Sequence, residues 1–195
     1  MAIPHADTAR RALDVAERLV QTRGFNGFSY ADIAEALGVT KASLHYHFAT
    51  KAELGRHLIE RYEAAFLDTL ARIDAGQRRA PDKLKRYATI YGDVLRANRM
   101  CLCGMLASDY ATLPKPMRDK VRHFFDENER WLARVVDEGR TSGQLDFEGA
   151  PVEVARMIVA SLEGAMMLAR SYGEVSRFDA TAERLIAELE SSRRT

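Results

Sequence analysis

The stretch "SYADIAEALGVTKASLHYHFATK", Ser29 to Lys51, decides how the chain folds. Ser29 followed three residues later by Asp32 is a helix-start signal, because the hydroxyl and the carboxylate can each satisfy a free backbone N–H of the first turn. Ile33, Ala34 and Leu37 then form one apolar face. Gly38 supplies the left-handed residue that ends a helix, and Thr40 caps a second, shorter helix carrying Leu44 and ending near Phe48. Two short helices joined by a tight, glycine-containing turn make a helix-turn-helix unit, whose second helix can enter the DNA major groove. From Ala36 to Ala52 there is no Asp or Glu, whereas Lys41, His45, His47 and Lys51 all lie there. A polyanion meets no like charge on such a surface.

Working outward, helical periodicity of three and four residues runs through nearly the whole chain. Ala9, Ala12, Leu13, Ala16, Leu19 and Val20 form a first helix closed by Gly24. Thr50 to Glu53 reads as a capping box opening a long helix to about residue 73. Further helices are expected around Leu84 to Leu95, from about 103 to 110, around Val121 to Val135, and over about 152–171 and 177–191. No alternating strand pattern longer than a few residues occurs. The fold class is all-α, with about nine helices: a three-helix DNA-binding domain over residues 1–50 and a larger helical bundle over 51–195.

Composition sets the outer limits. The 195 residues are 47% apolar and 29% charged, enough for a buried core and too rich in apolar side chains for a disordered chain. The net charge of +1 leaves nucleic-acid binding to local asymmetry. The two cysteines, Cys101 and Cys103 in "CLCG", are badly placed to bridge each other, which points to a reduced, cytoplasmic protein. The most apolar segment, "VARMIVASLEGAMMLA", is broken by Arg156, Glu163 and Gly164 and is too polar to span a membrane.

"GFNGFSYADIAEALGVTKASLHYHFATKAEL", Gly24 to Leu54, resembles the DNA-binding domain of the TetR/AcrR family of transcriptional regulators. The resemblance rests on Gly24-Phe25, on "ADIAEALGV" and on "LHYHFATKAEL", and is specific over residues 8–60. It implies that Thr40, Lys41, Ala42 and Ser43 approach bases, that Tyr46 and His47 lie near the DNA backbone at the end of the recognition helix, and that Lys51 meets a phosphate. His45 stands where the family often has tyrosine. Ser29 completes the expected DNA-facing set. His47 and Phe48 also suit a purely structural role, locking the recognition helix onto the first. Residues His45 and His47, two apart, point their rings in different directions on a helix, so no metal site is expected there. No cofactor is expected either.

The resemblance also implies that the larger domain binds a small-molecule inducer and forms the homodimer. The segment from Val152 to Ala169 is apolar nearly all round, which demands burial on all sides, by a core and by a partner subunit. With the last helix it is expected to build a four-helix bundle between two copies. Two recognition helices would then sit roughly 34–36 Å apart on a palindromic operator. Candidate pocket residues, placed on inward faces of the middle helices, are Phe66, Tyr87, Tyr91, Met105, Tyr110, Phe124, Trp131, Met166 and Met167. Cys101 joins them. "RANRMCLCGMLASDY" resembles a cysteine-bearing stretch of a TetR subgroup, some of whose members sense electrophiles or oxidants, although Met100 stands in place of a glycine. Arg96, Arg99 and a helix start beside Cys101 would lower its thiol pKa. A buried small hydrophobe is the alternative. Cys103 reads as structural.

The expected function is that of a ligand-responsive repressor, not an enzyme. An all-α enzyme or small-molecule carrier using Cys101 and His123 is the alternative, but the Glu-x-x-His pairs of di-iron bundles are missing, as is a nucleophile with its base.

Overall fold

The computed structural model describes residues 5–190. Among these the chain forms nine α-helices: α1 (His5–Arg23), α2 (Tyr30–Leu37), α3 (Lys41–His47), α4 (Lys51–Gly76), α5 (Ala80–Arg96), α6 (Leu102–Ser108), α7 (Lys115–Thr141), α8 (Pro151–Tyr172) and α9 (Val175–Leu189). Two 3₁₀ turns, Phe25–Gly27 and Tyr110–Thr112, join them. The only β-type pairing among the described residues is one isolated bridge between Leu145 and Glu190. The all-α expectation holds. The expected end of the last helix at residue 191 lies outside the described residues.

Helix ends follow the local chemistry. α1 stops at Gly24, whose φ of 81° excludes further helix. Ser29 and Asp32 form the expected capping box of α2, with the Ser29 amide donating to the Asp32 carboxylate at 2.8 Å. Gly38 ends α2 in the left-handed conformation, φ 67°. The Thr40 hydroxyl accepts from the Ser43 amide at 3.2 Å and starts α3. At α4 the Thr50 hydroxyl accepts from the Glu53 amide, but Glu53 reaches back to the amide of Ala49 rather than that of Thr50. The short helix expected at about 103–110 begins one residue earlier, because Cys101 caps it: its sulfur accepts from the Gly104 amide at 3.4 Å.

The chain packs as two compact units. One holds the stretch through Ala65 together with Cys101–Phe124; the other holds Phe66–Met100 and the stretch from Phe125 onward. Of the three borders, two fall inside helices, α4 and α7, and the third between α5 and α6. α6 therefore belongs to the same unit as the helix-turn-helix. In the first unit Ala12, Ala16 and Val20 of α1 line one buried stripe, joined by Ile33, Leu44, Leu58, Ile59, Leu102 and Leu106. In the second, α9 packs on both α8 and α5, burying Leu84, Tyr87, Ile158, Leu162, Met166, Phe178 and Ile186. Each such large side chain contributes about 1.5–3 kcal/mol by leaving water.

Within the single chain, α8 buries one side of its apolar surface. Its buried face carries Val154, Ile158, Leu162, Met166 and Ala169. Met157, Met167, Leu168 and Tyr172 are exposed. Met167, expected inside a pocket with Met166, is 56% exposed: adjacent residues on a helix point about 100° apart, and of the two only Met166 is buried.

Gly139 marks the tightest helix approach in the second unit. A methyl group there would lie 2.7 Å from the Ala80 Cβ and 2.5 Å from a Leu145 methyl. Gly139→Ala should lower stability by about 1–3 kcal/mol, as overpacking does. Urea unfolding of the variant checks this; an unchanged midpoint would mean that α5 and α7 can part without cost.

Candidate nucleic-acid interface and ligand-binding core

Three elements position the recognition helix. α1 packs on both α2 and α3, and α2 on α3. Leu44 and Phe48 are buried, so one face of α3 is pinned to the other two helices. The hydroxyl of Tyr30, at the start of α2, donates to the backbone carbonyl of Phe48 at 2.8 Å and ties down the far end of α3. Burial, aided by the Glu53 carboxylate, pushes the Tyr30 hydroxyl up to about 12, so it remains a donor at neutral pH.

The outward face of α3 carries the residues singled out for DNA. Thr40, Lys41, Ala42, His45 and Tyr46 are exposed, and Ser43 and His47 are half-buried. Tyr46 is 77% exposed, with its ring edge-on to His47 at 5.2 Å. Ser29 is exposed, but its hydroxyl serves the α2 cap. His45 is held in place twice. Its ring lies 4.6 Å from that of Tyr30, and its Nδ1 is 3.1 Å from the Ala49 carbonyl. A carbonyl can only accept, so Nδ1 carries the proton and Nε2 of the neutral ring is an acceptor.

Lys51 is placed otherwise than as a side chain reaching out to a phosphate. Its ammonium donates to the carbonyls of Phe25 and Phe28 and lies over both their rings. Burial lowers its pKa, opposed by the carboxylates of Asp32 and Asp109. Two of its three N–H donors are thus spent on the turn that precedes α2. The sequence signal for this was present in Phe25 and Phe28, but their carbonyls could not be placed without the fold.

The ten candidate ligand residues fall into two groups, one in each unit. In the second unit Phe66, Tyr87, Tyr91 and Trp131 form an aromatic cluster. Phe66 meets Tyr87 and Tyr91 edge-on at 6.2 and 6.4 Å, and Trp131 stacks on Tyr87 at 5.6 Å. This cluster is polar inside: the Tyr87 hydroxyl is 2.9 Å from that of Tyr91 and donates to Asn128 Oδ1 at 3.0 Å. The Trp131 indole donates to Asp74 at 3.0 Å. Burial alone would raise the Asp74 carboxyl, but hydrogen bonds from Lys83, Trp131 and Arg134 outweigh it and hold the group below the usual carboxylate range. Met166 is buried in the same unit. Asn128, Asp74 and Lys83 were not among the expected site residues; a polar Asn at an inward position of α7 was the available signal.

In the first unit lie Cys101, Met105, Tyr110 and Phe124. Cys101 is buried, with the Tyr62 hydroxyl 3.9 Å from its sulfur, and Phe124 packs on the Tyr62 ring at 5.7 Å. Met105 and Tyr110 are half-buried, Tyr110 beneath the Arg118 guanidinium. Arg96, expected to bias Cys101 toward the thiolate, pairs instead with Asp93 and Asp179. An open groove of about 600 Å³ runs along α5 and α9, floored by Ala88, Gly92, Phe178 and Ile186, and none of the ten candidates lines it.

Comparison with known proteins matches this architecture. Residues 12–58 fit the description "Bacterial regulatory proteins, tetR family", and residues 80–185 fit "Tetracyclin repressor-like, C-terminal domain". The chain is similar to the HTH-type transcriptional repressor NemR of Escherichia coli K12, 25% identical over 173 residues, 84% of each chain. It is also similar to the transcriptional regulator AcuR of Cereibacter sphaeroides, 28% identical over 181 residues, 86% of this chain and 78% of that one. A solved TetR-family regulator from Agrobacterium tumefaciens superposes with a TM-score of 0.93 at 28% identity, covering 95% of this chain and 99% of the other. With the helix-turn-helix in the matched N-terminal segment and the bundle in the matched C-terminal one, the chain belongs to the TetR family of DNA-binding transcriptional regulators.

Proposed function

We propose that the protein is a cytoplasmic, homodimeric repressor that leaves a palindromic operator when a small-molecule or electrophilic inducer binds. The observation that carries this reading is the exposed, acid-free face of α3, held rigid from behind by Leu44, Phe48 and the Tyr30 hydroxyl. Thr40, Lys41, Ala42 and Ser43 lie at the start of α3, the end that approaches base edges in helix-turn-helix docking. Tyr46 and His47 lie toward its exit, where a hydroxyl and an imidazole suit phosphate oxygens, and His45 beside them can donate to a phosphate through Nε2 only as the imidazolium. In this division of roles residues 1–50 hold the DNA-binding domain and 51–195 the ligand-binding and dimerisation domain. α8 supports the dimer: its Met157, Met167, Leu168 and Tyr172 form an exposed apolar face that a second copy would cover, joined by α9. Met167 then belongs with the dimer surface.

The inducer reading draws on the aromatic cluster. Phe66, Tyr87, Tyr91 and Trp131 offer ring faces, while the Tyr87 and Tyr91 hydroxyls and Asn128 offer neutral hydrogen bonds. Such a lining suits an apolar molecule with an uncharged polar group. DNA favours the conformer whose recognition helices match the half-site spacing, and the inducer favours another.

A second, electrophile-responsive reading rests on Cys101. Its sulfur accepts hydrogen bonds from the Gly104 amide and the Tyr62 hydroxyl, and acceptance of hydrogen bonds favours the thiolate. Burial works against it, so a reagent would have to enter the core.

Selection of bound duplexes from a random pool should return an inverted repeat. Lys41→Ala or Ser43→Ala should change sequence preference more than overall affinity. Lys51→Ala should weaken every duplex alike, because it loosens the turn before α2. Identical behaviour of both sets on specific and random duplexes would overturn this division of roles.

Treatment with N-ethylmaleimide should release the operator from the wild type and from Cys103→Ser, but not from Cys101→Ser. Release from Cys101→Ser at the wild-type rate would discard the sensor.

A further inference from the structure

The 3₁₀ turn Phe25–Gly27 is gripped from two sides by opposite charges. On one side the Lys51 ammonium holds the carbonyls of Phe25 and Phe28. On the other, the Asp109 carboxylate accepts from the Phe25 amide at 2.7 Å and from the Asn26 amide at 3.4 Å. Asp109 stands at the end of α6, 84 residues away in sequence from Phe25. The contact is reinforced beside it: the Asn26 side chain donates to the Thr112 hydroxyl at 2.8 Å, and that hydroxyl donates to the Asp109 carbonyl at 2.8 Å. Gly24 gives the carboxylate room. A Cβ there would lie 3.0 Å from Asp109 Oδ2, and the φ of 81° disfavours any other residue.

The turn in question is the entry to the helix-turn-helix. It separates α1 from α2, and only Phe28 stands between it and Ser29, the cap of α2. Whatever fixes Phe25 and Asn26 therefore fixes where α2 starts and, through Tyr30, where α3 ends. α6 is a helix of seven residues, roughly 10 Å long at 1.5 Å per residue. Its first turn is capped by Cys101, beside Tyr62 of α4; its other end is Asp109.

We infer that Asp109 is a positioning residue for DNA binding: its carboxylate clamps the turn that sets the helix-turn-helix. This rests on the DNA-binding reading above. An aspartate accepting backbone amides across such a separation couples the two segments, because a charge-assisted bond is about twice as strong as a neutral one.

Two measurements on the full chain test it. Hydrogen exchange compares the amides of residues 25–31 in the wild type, Asp109→Ala and Thr112→Val. Titration of the duplex selected from the random pool compares their affinities at several salt concentrations. Asp109→Ala should speed exchange in this segment at least tenfold, leave α8 and α9 unchanged, and weaken the duplex at least tenfold with the salt slope preserved, since no phosphate contact is lost. Thr112→Val, which keeps the carboxylate, should give a smaller change of the same kind and serves if Asp109→Ala does not fold. Wild-type exchange in both variants, uniformly faster exchange along the whole chain, or faster local exchange with unchanged affinity would each overturn the inference. A wild-type chain that selects no duplex would remove the DNA reading instead, and the exchange comparison would still decide whether Asp109 holds the turn.

Discussion

Seven residues do not make a stable α-helix in water, because nucleation costs more than so few hydrogen bonds return. α3 is that short, and it carries most of the side chains proposed to face DNA. Its order is therefore borrowed. Thr40 caps one end, Leu44 anchors the middle, and the Tyr30 hydroxyl holds the Phe48 carbonyl at the other. Tyr30 in turn starts α2, whose beginning is set by the Ser29–Asp32 box and the turn before it. The recognition surface is the last link of a chain of local constraints, each of which passes through a backbone polar group.

The helix-turn-helix was legible in the sequence because its signals are local. Caps, a left-handed glycine and a 3.6-residue period are properties of neighbours in the chain, and Ser29, Gly38 and Thr40 act as their spacing predicts. The site residues were harder where their roles depend on partners far away. Lys51 reads as a free cation until the fold brings the carbonyls of Phe25 and Phe28 to it. Met166 and Met167 look alike in sequence, yet one is buried and the other exposed, since a broad apolar stripe does not say which of its edges meets the core. Arg96 stands near Cys101 in sequence but finds Asp179. Asn128 sat at an inward position, which signals a buried polar partner but not which one, and Asp74 carried no such signal.

The two compact units put different chemistry to work. The first relies on backbone groups met by charged side chains, which fix angles between short elements. The second builds its centre from aromatic rings laced with hydroxyls, an amide and an indole. Buried polar groups of this kind must be matched, and a matched network favours one arrangement over near alternatives. An incoming molecule that replaces one of those partners would have to supply an equivalent bond.

Trp131 is the single tryptophan of the chain. It stacks on Tyr87 and donates to a carboxylate within the second unit. Indole emission responds to both kinds of neighbour, so the protein carries an intrinsic optical reporter confined to its aromatic centre. The helix-turn-helix holds no tryptophan and stays dark in that channel, which allows events at the centre to be followed in the presence of DNA without labelling either molecule.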